Sequence, residues 1–198
     1  RVTKIDGTTL VAREVASINT TTNAGELYFV ANGTLSSTYN GSYYIYYGNA
    51  TATEPTANGT YAKESVWADN YIGVWHFTQD PWYYGSKDST SNNRDCTQSG
   101  NMDVNDLVSG KVNYALDFDG SDDKLTCSGV HTALQSKANV TVSGWLKRRS
   151  SSNLVSMGTS VSTSYPLNLT AYSSSVYASA GTSSSGLGYI SSNDTNWH

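Results

Sequence analysis

Aspartate and asparagine side chains gather in two short polar stretches of this sequence. Asp88 and Asn93 lie in the first stretch, and Asp119, Asp122 and Asp123 lie in the second. Calcium prefers several oxygen ligands from carboxylates, amides and backbone carbonyls. We therefore expect these residues to form a calcium site where the two turns meet. The alternative is that the aspartates only stabilise tight turns by accepting hydrogen bonds from the backbone.

The residue types needed for hydrolysis are present, but their spacing does not predict an active site. Glycosidases place two carboxylates across a cleft, and the glutamates of this chain form no closely spaced acidic array. No serine lies in a nucleophile-elbow motif. His76 follows Trp75 in an apolar stretch, where a packed, hydrogen-bonded imidazole is expected rather than a catalytic base. We therefore expect a protein that is not an enzyme.

Three consecutive aromatic residues, Trp82, Tyr83 and Tyr84, stand in a polar loop. Large aromatic side chains need a reason to be exposed in a loop. They could stack on a sugar, fill a protein interface, or fold back over an open edge of a β-sheet. The first two alternatives predict a glycan or a surface protein as the partner.

The composition restricts the class of protein. The chain has 198 residues and a formal net charge of -4, with abundant Gly and Tyr. It has no basic stripe for nucleic acid and no apolar run of the roughly 20 residues that span a bilayer. We expect an all-β protein with many turns, no nucleic-acid partner and no membrane insertion in this segment.

The cysteines and the glycosylation sequons predict an extracellular or cell-surface location. Cys96 and Cys127 are the two cysteines of the chain. They predict either one disulfide, as in an oxidising compartment, or two buried thiols. Asn-x-Ser/Thr sequons, which predict N-glycosylation, begin at Asn19, Asn32, Asn40, Asn49, Asn58, Asn139, Asn168 and Asn193.

Short alternating stretches and turn residues predict the strands that position these groups. Asp6-Gly7 lies between two β-prone runs and predicts a hairpin. Residues 26–30, 42–47, 73–77 and 140–146 are further predicted strands. Residues 110–125 (GKVNYALDFDGSDDKL) predict a strand, a tight acidic turn and a return strand. Residues 48–68 are a connector of low apolar periodicity, and we place a domain boundary within it, after residue 65.

From residue 73 onward, the order of motifs resembles the LamG-like branch of the concanavalin A-like jelly rolls. The motifs are GVWHF at 73–77, residues 88–97, 110–125 and 140–146, and Trp197-His198. The earlier part resembles, more loosely, a small β domain that often precedes LamG-like domains in surface proteins. The resemblance rests there on residues 6–8, 26–30 and 46–50.

The resemblance implies two consecutive antiparallel β-sandwich regions. Residues 1–65 would form the small β-sandwich-like domain, without its opening strands. Residues 66–198 would form the LamG-like jelly roll, without its last strands. Such a chain is either a fragment of a longer polypeptide or a subunit whose edges are completed by neighbouring chains. The resemblance also adds to the expectation of Ca²⁺, because LamG-like domains often bind it at loop ends.

The function expected from these observations is non-catalytic adhesion or recognition at a cell or particle surface. The ligand would be a glycan or a protein. A second hypothesis is a structural subunit of a surface layer, sheath or filament that self-associates through β edges. A third is an accessory module of a secreted carbohydrate-active enzyme.

Overall fold

The chain is β-rich, with only a few short helices in the part that a computed structural model describes. The structure describes residues 1–31, 42–134, 137 and 139–147, and the backbone alone of 135, 165–172, 175–181 and 188–191. The strands are β1 (Val2–Lys4), β2 (Arg13–Asn19), β3 (Ala24–Phe29), β4 (Tyr43–Ile45), β5 (Cys96–Ser99), β6 (Leu107–Ser109), β7 (Tyr114–Leu116), β8 (Lys124–Cys127), β9 (Tyr165–Tyr172), β10 (Ser175–Gly181) and β11 (Gly188–Ser191).

The helices of the described residues are all short. They are α1 (Lys63–Val66), α2 (Pro81–Tyr84), α3 (Val130–Gln135) and a 3-10 turn at Val104–Asp106. Within these residues, no helix has the length and apolar character needed to cross a membrane.

The chain divides into two compact units. The first unit contains Arg1–Thr78 and Lys87–Asn93, and the second contains Gln79–Ser86 and Arg94–His198. The segment 87–93 therefore returns to the first unit after the chain has entered the second. The predicted domains 1–65 and 66–198 stay a prediction.

In the first unit, β1 pairs with β4, and β2 pairs with β3, both antiparallel. The predicted turn at Asp6-Gly7 is present, because the Asp6 carboxylate accepts hydrogen bonds from the backbone N–H groups of Thr8 and Thr9 at 2.8 Å. The return residue Leu10 forms an isolated bridge to Thr3. Strand β2 was not predicted from the sequence, because its polar and apolar residues do not alternate cleanly.

In the second unit, β5 pairs with β8, β6 pairs with β7, and β9, β10 and β11 form a three-stranded sheet. Residues 110–125 supply both predicted strands, β7 and β8, but these strands do not pair with each other. Cys96 lies opposite Cys127 and fixes β8 on β5, while Leu107 lies opposite Leu116 on β6. The acidic turn therefore connects two separate ladders.

Two other predicted strands lack a ladder. In residues 73–77, only Trp75 forms a bridge, to Asp88, and Phe77 has a φ of 53° that interrupts extended backbone. Residues 140–146 have no regular structure. Alternation alone does not make a strand, because a strand needs a neighbour for its backbone hydrogen bonds. The sandwich and jelly-roll arrangements stay predictions.

Buried residues of the first unit include polar as well as apolar side chains. Val2, Val11 and Ala62 are at most 3% exposed. Glu14, Asp88, Ser89 and Thr90 are also buried, between 1% and 7% exposed. Buried polar groups are costly unless they are hydrogen-bonded, so the partners of these side chains decide whether the core is stable.

Candidate functional site

The aromatic triplet Trp82–Tyr84, which was predicted in a loop, lies on the single helical turn α2, and Asp80 caps the N-terminus of this turn. The Asp80 carboxylate accepts a hydrogen bond from the backbone N–H of Trp82 at 2.9 Å. Pro81 occupies the first turn and is buried. Its fixed φ favours a helix start, and its missing N–H costs nothing there. The sequence Asp-Pro therefore begins the helix at a defined residue.

Gly85 ends α2 in a conformation that only glycine adopts readily. Its φ is 61° and its ψ is -139°, and a Cβ at this position would lie 1.9 Å from the carbonyl oxygen of Cys96. The backbone of β5 thus packs directly against the end of α2. The next residue, Ser86, exchanges two backbone hydrogen bonds with Cys96, at 2.9 and 2.8 Å.

The disulfide between Cys96 and Cys127 joins β5 to β8. The predicted disulfide is therefore present, and it lies beside the residues that hold α2. The helix backbone is anchored through Gly85 and Ser86 to a cross-linked pair of strands. Such anchoring fixes the positions from which the aromatic side chains extend.

The three aromatic side chains of α2 are exposed. Trp82 is 52%, Tyr83 is 76% and Tyr84 is 57% exposed. The rings of Tyr83 and Tyr84 are 6.3 Å apart and tilted by 55°. Consecutive side chains on a helix point in different directions, so the triplet is an aromatic knob (Trp82, Tyr83 and Tyr84) and not one flat platform.

The acidic turn after β7 brings together three of the five residues predicted to bind calcium. One carboxylate oxygen from each of Asp119, Asp122 and Asp123 lies within 4.8 Å of the others. The turn is built by backbone hydrogen bonds to Asp119, from Ser121 at 2.7 Å, and to Asp123, from the Asp119 amide at 2.8 Å. These bonds fit the turn-stabilising alternative, and calcium binding stays a prediction.

The carboxylates of this turn differ in their proton affinity. The hydrogen bond from the Ser121 amide is the main reason why the pKa of Asp119 lies below its usual value. Partial removal from water raises the pKa of Asp123, and the nearby negative charges of Asp119, Asp106 and Asp122 act in the same direction. The turn thus holds several like charges in a small volume.

Asp88 and Asn93, the other two predicted calcium ligands, lie in the first unit and have different surroundings. Asp88 is 1% exposed. Its carboxylate accepts hydrogen bonds from the backbone N–H of Val74 and of Thr90, at 3.0 and 2.9 Å, and from the Thr90 hydroxyl at 2.8 Å. Asn93 is exposed, with a φ of 51°. The observed role of Asp88 is to fix the returning segment 87–93.

Sequence reasoning missed a polar cluster centred on Glu14. Glu14 is 7% exposed, and its carboxylate accepts hydrogen bonds from Ser89 Oγ at 2.6 Å and from Trp67 Nε1. His76 Nε2 lies 3.0 Å from Glu14 Oε2. The sequence shows only that Glu14 is a glutamate inside a β-prone run. It does not show that Glu14 is buried, because the residues that cover it lie more than 50 positions away.

Aromatic rings surround the His76 imidazole. It stacks on Tyr28, with ring centroids 4.6 Å apart and 25° between the planes. Trp67 lies 5.7 Å from it and 5.3 Å from Tyr71. The expected packed, hydrogen-bonded imidazole is therefore observed. Burial is the main reason why the pKa of Tyr28 lies above its usual value, and the hydrogen bond to Glu26 raises this pKa further.

Hydrogen bonds offset the effect of burial on the pKa of Glu14. Burial alone would raise the pKa of Glu14, but the hydrogen bonds from His76, Ser89 and Trp67 outweigh it and lower the pKa. A carboxylate, an imidazole and a hydroxyl meet here, yet Ser89 donates to Glu14 and is only 4% exposed. The geometry fits a structural link between β2, Trp67 at the end of α1, and residues 76 and 89.

The described glycosylation sequons lie in different local structures. Asn49, Asn58 and Asn139 are exposed, and Asn19 is half-buried at the end of β2. Asn49 Oδ1 accepts hydrogen bonds from the Thr51 amide at 3.0 Å and the Thr51 hydroxyl at 2.9 Å. Asn168 lies in β9. Asn32, Asn40 and Asn193 lie outside the described residues, and glycosylation stays a prediction.

Comparisons with known proteins give no family for this chain. A scan against protein-family models finds no match. Searches of curated proteins and of solved structures also find no match. The LamG-like resemblance therefore stays a prediction.

Proposed function

We propose that this chain is a non-catalytic recognition module that binds a glycan or protein ligand at a cell or particle surface. The observation that carries this proposal is the aromatic knob. Its three side chains are 52%, 76% and 57% exposed, although α2 is capped by Asp80 and anchored to β5. Exposed aromatic groups on a fixed backbone lose little conformational entropy on binding.

Aromatic side chains dominate the binding energy of many recognition surfaces. Trp and Tyr are enriched among residues whose truncation costs the most affinity, and their rings also stack on the apolar faces of sugars. The Cys96–Cys127 disulfide adjacent to α2 is typical of proteins in oxidising compartments. It supports a location outside the cell.

The test is a binding screen with the whole chain on arrays of glycans and of surface proteins. The variants Trp82→Ala and Tyr83→Ala/Tyr84→Ala are compared with Tyr47→Ala, because Tyr47 is also an exposed aromatic residue, at 94%. We expect affinity for any captured ligand to fall by about tenfold or more in the knob variants, as for central interface aromatics. Equal binding by the knob variants and the unmodified chain would contradict the proposal.

A structural subunit is the second candidate function, and the β1–β4 ladder supports it. Among the described residues, β4 pairs with β1 alone, and Ile45 is 55% exposed. An exposed apolar edge strand is a template for pairing with another chain. Concentration-dependent polymers in electron micrographs, lost on Ile45→Lys, would favour this function, whereas a monomer at high concentration would exclude it.

A further inference from the structure

Acidic side chains lie beside the aromatic knob in the second unit. The 3-10 turn Val104–Asp106 lies next to α2, and Val104 is 57% exposed, so a further apolar side chain is accessible close to the knob. Asp103 caps this turn, and Asp106 closes a capping box with it. Carboxylates therefore flank the exposed aromatic side chains.

The acidic turn after β7 continues this group of charges. The Asp117 backbone N–H donates to the Asp106 carbonyl at 2.8 Å, which brings the acidic turn to the 3-10 turn. Carboxylate oxygens of Asp119, Asp122 and Asp123 lie within 4.8 Å of one another. Partial removal from water is the main reason why the pKa of Asp123 is raised, and the negative charge of Asp106 adds to it. The two turns together form an acidic patch (Asp103, Asp106, Asp119, Asp122 and Asp123).

The hydrogen bonds of the acidic patch fix its carboxylates without neutralising them. Asp103 accepts from the Asn105 backbone N–H at 2.7 Å and from the Asn105 side-chain amide at 2.9 Å. Asp106 accepts from the Asp103 backbone N–H at 2.7 Å. Within the described part of the chain, no cationic side chain forms an ion pair with a carboxylate of the patch. Neutral donors leave the negative charge in place.

A cationic partner would complement both parts of this surface. Lys and Arg side chains form ion pairs with carboxylates, and their cations also bind to the faces of Trp and Tyr rings. A neutral glycan would stack on the rings but would leave the charges of the acidic patch without a counterpart. From this complementarity we infer that the aromatic knob and the acidic patch together bind a basic segment of a partner protein. The inference rests on the proposed function, because it names the ligand class of the same knob.

The test is a titration of the 15N-labelled whole chain with short peptides, followed by amide chemical shifts. The probe is an acetylated peptide amide of repeated Ser-Arg-Leu units, and the controls carry glutamine or glutamate in place of arginine. We expect the arginine peptide to shift the amides of Tyr83, Val104 and Asp106. It should bind about tenfold more tightly than the glutamine peptide, as for a few exposed ion pairs. Its affinity should fall when NaCl rises from about 0.01 M to about 0.15 M, because the Debye length shrinks from about 30 Å to about 8 Å.

Asp122→Asn tests the charge of the acidic patch. Asp122 is exposed, so this variant is expected to fold, and the arginine peptide should bind it about two- to fivefold more weakly. Asp69→Asn removes one exposed negative charge from the first unit and should leave the affinity unchanged. Asp69 has a φ of 53°, which asparagine also adopts. Trp82→Ala should weaken binding of the arginine peptide by about tenfold or more.

The outcomes separate this inference from the proposed function. Equal binding of the arginine and glutamine peptides, or an equal loss in Asp122→Asn and Asp69→Asn, would overturn the inference. A glycan that binds the unmodified chain but not Trp82→Ala, together with no binding of the arginine peptide, would overturn the inference and leave the proposed function standing. If Trp82→Ala binds every ligand as tightly as the unmodified chain does, both are wrong.

Discussion

His76 Nε2 lies 3.0 Å from Glu14 Oε2, although the two residues are 62 positions apart in the sequence. Ser89 Oγ binds the other oxygen of the same carboxylate at 2.6 Å. Three segments of the first unit therefore meet at one buried carboxyl group.

Glu14→Gln should destabilise the first unit. The amide that replaces one carboxylate oxygen cannot accept hydrogen bonds, so at least one buried donor among His76, Ser89 and Trp67 loses its partner. We expect the free energy of unfolding to fall by about 2–4 kcal/mol, measured by guanidinium denaturation at pH 7.

Glu54→Gln is the matched control for this change. Glu54 is also a hydrogen-bonded glutamate, paired with Arg13, but its side chain is 61% exposed. Exposed ion pairs contribute about 0–1 kcal/mol. A loss in Glu14→Gln no larger than that in Glu54→Gln would show that the buried cluster does not stabilise the fold.

Stability should fall as the solution is acidified, and Glu14 should account for part of the loss. Its pKa in the folded chain lies below the ordinary value of 4.5. The unfolded chain therefore takes up the proton first as the pH falls. The contribution of Glu14 to the free energy of unfolding is fully present well above pH 4.5. It is lost as the pH falls from 4.5 through the lower pKa of the folded chain.

Denaturation curves measured from pH 7 to pH 2 test this dependence. The difference in stability between the unmodified chain and Glu14→Gln should be constant near neutrality and should shrink below about pH 4.5. A difference that stays constant down to pH 2 would show that Glu14 has the same pKa in both states.

Removal of the disulfide should destabilise the second unit. Cys96 and Cys127 are separated by 31 residues, and closing a loop of this length stabilises a fold by about 2–4 kcal/mol. We expect the free energy of unfolding of Cys96→Ala/Cys127→Ala to fall by that amount, so that the midpoint of guanidinium denaturation shifts to a lower concentration. The unmodified chain in strong reductant should behave in the same way. A midpoint that reduction does not change would contradict the expected contribution.

Gly85→Ala should be the most damaging glycine substitution near the aromatic knob. The new Cβ would lie 1.9 Å from the Cys96 carbonyl oxygen at a φ of 61°, so α2 or β5 must move. We expect the free energy of unfolding to fall by about 2–4 kcal/mol, with altered fluorescence of the adjacent Trp82.

Gly48→Ala separates steric conflict from backbone strain. Gly48 has a φ of 78°, and its added Cβ would meet no atom within 4 Å. This variant should lose only about 1 kcal/mol, the cost of placing alanine in the left-handed region. Similar losses in the two variants would mean that contact with β5 does not hold α2.

Local sequence patterns correctly predicted several elements whose causes are themselves local. Asp6-Gly7 forms its turn because the aspartate carboxylate accepts two nearby backbone hydrogen bonds. The pattern at 110–125 contains β7 and β8 within its limits. The pairing of these strands was not local, because β8 is fixed to β5 through Cys96 and Cys127.

The β-rich character, the turns and the aromatic triplet could be predicted from the sequence, but the triplet was predicted in a loop and lies on the helical turn α2. These features depend on neighbouring residues. The burial and hydrogen bonds of Glu14, the hydrogen bonds of the buried Asp88 and the packing of Gly85 against β5 could be seen only in the folded chain. Burial and hydrogen-bond partners depend on segments that are distant in the chain, and no local pattern specifies which of them meet.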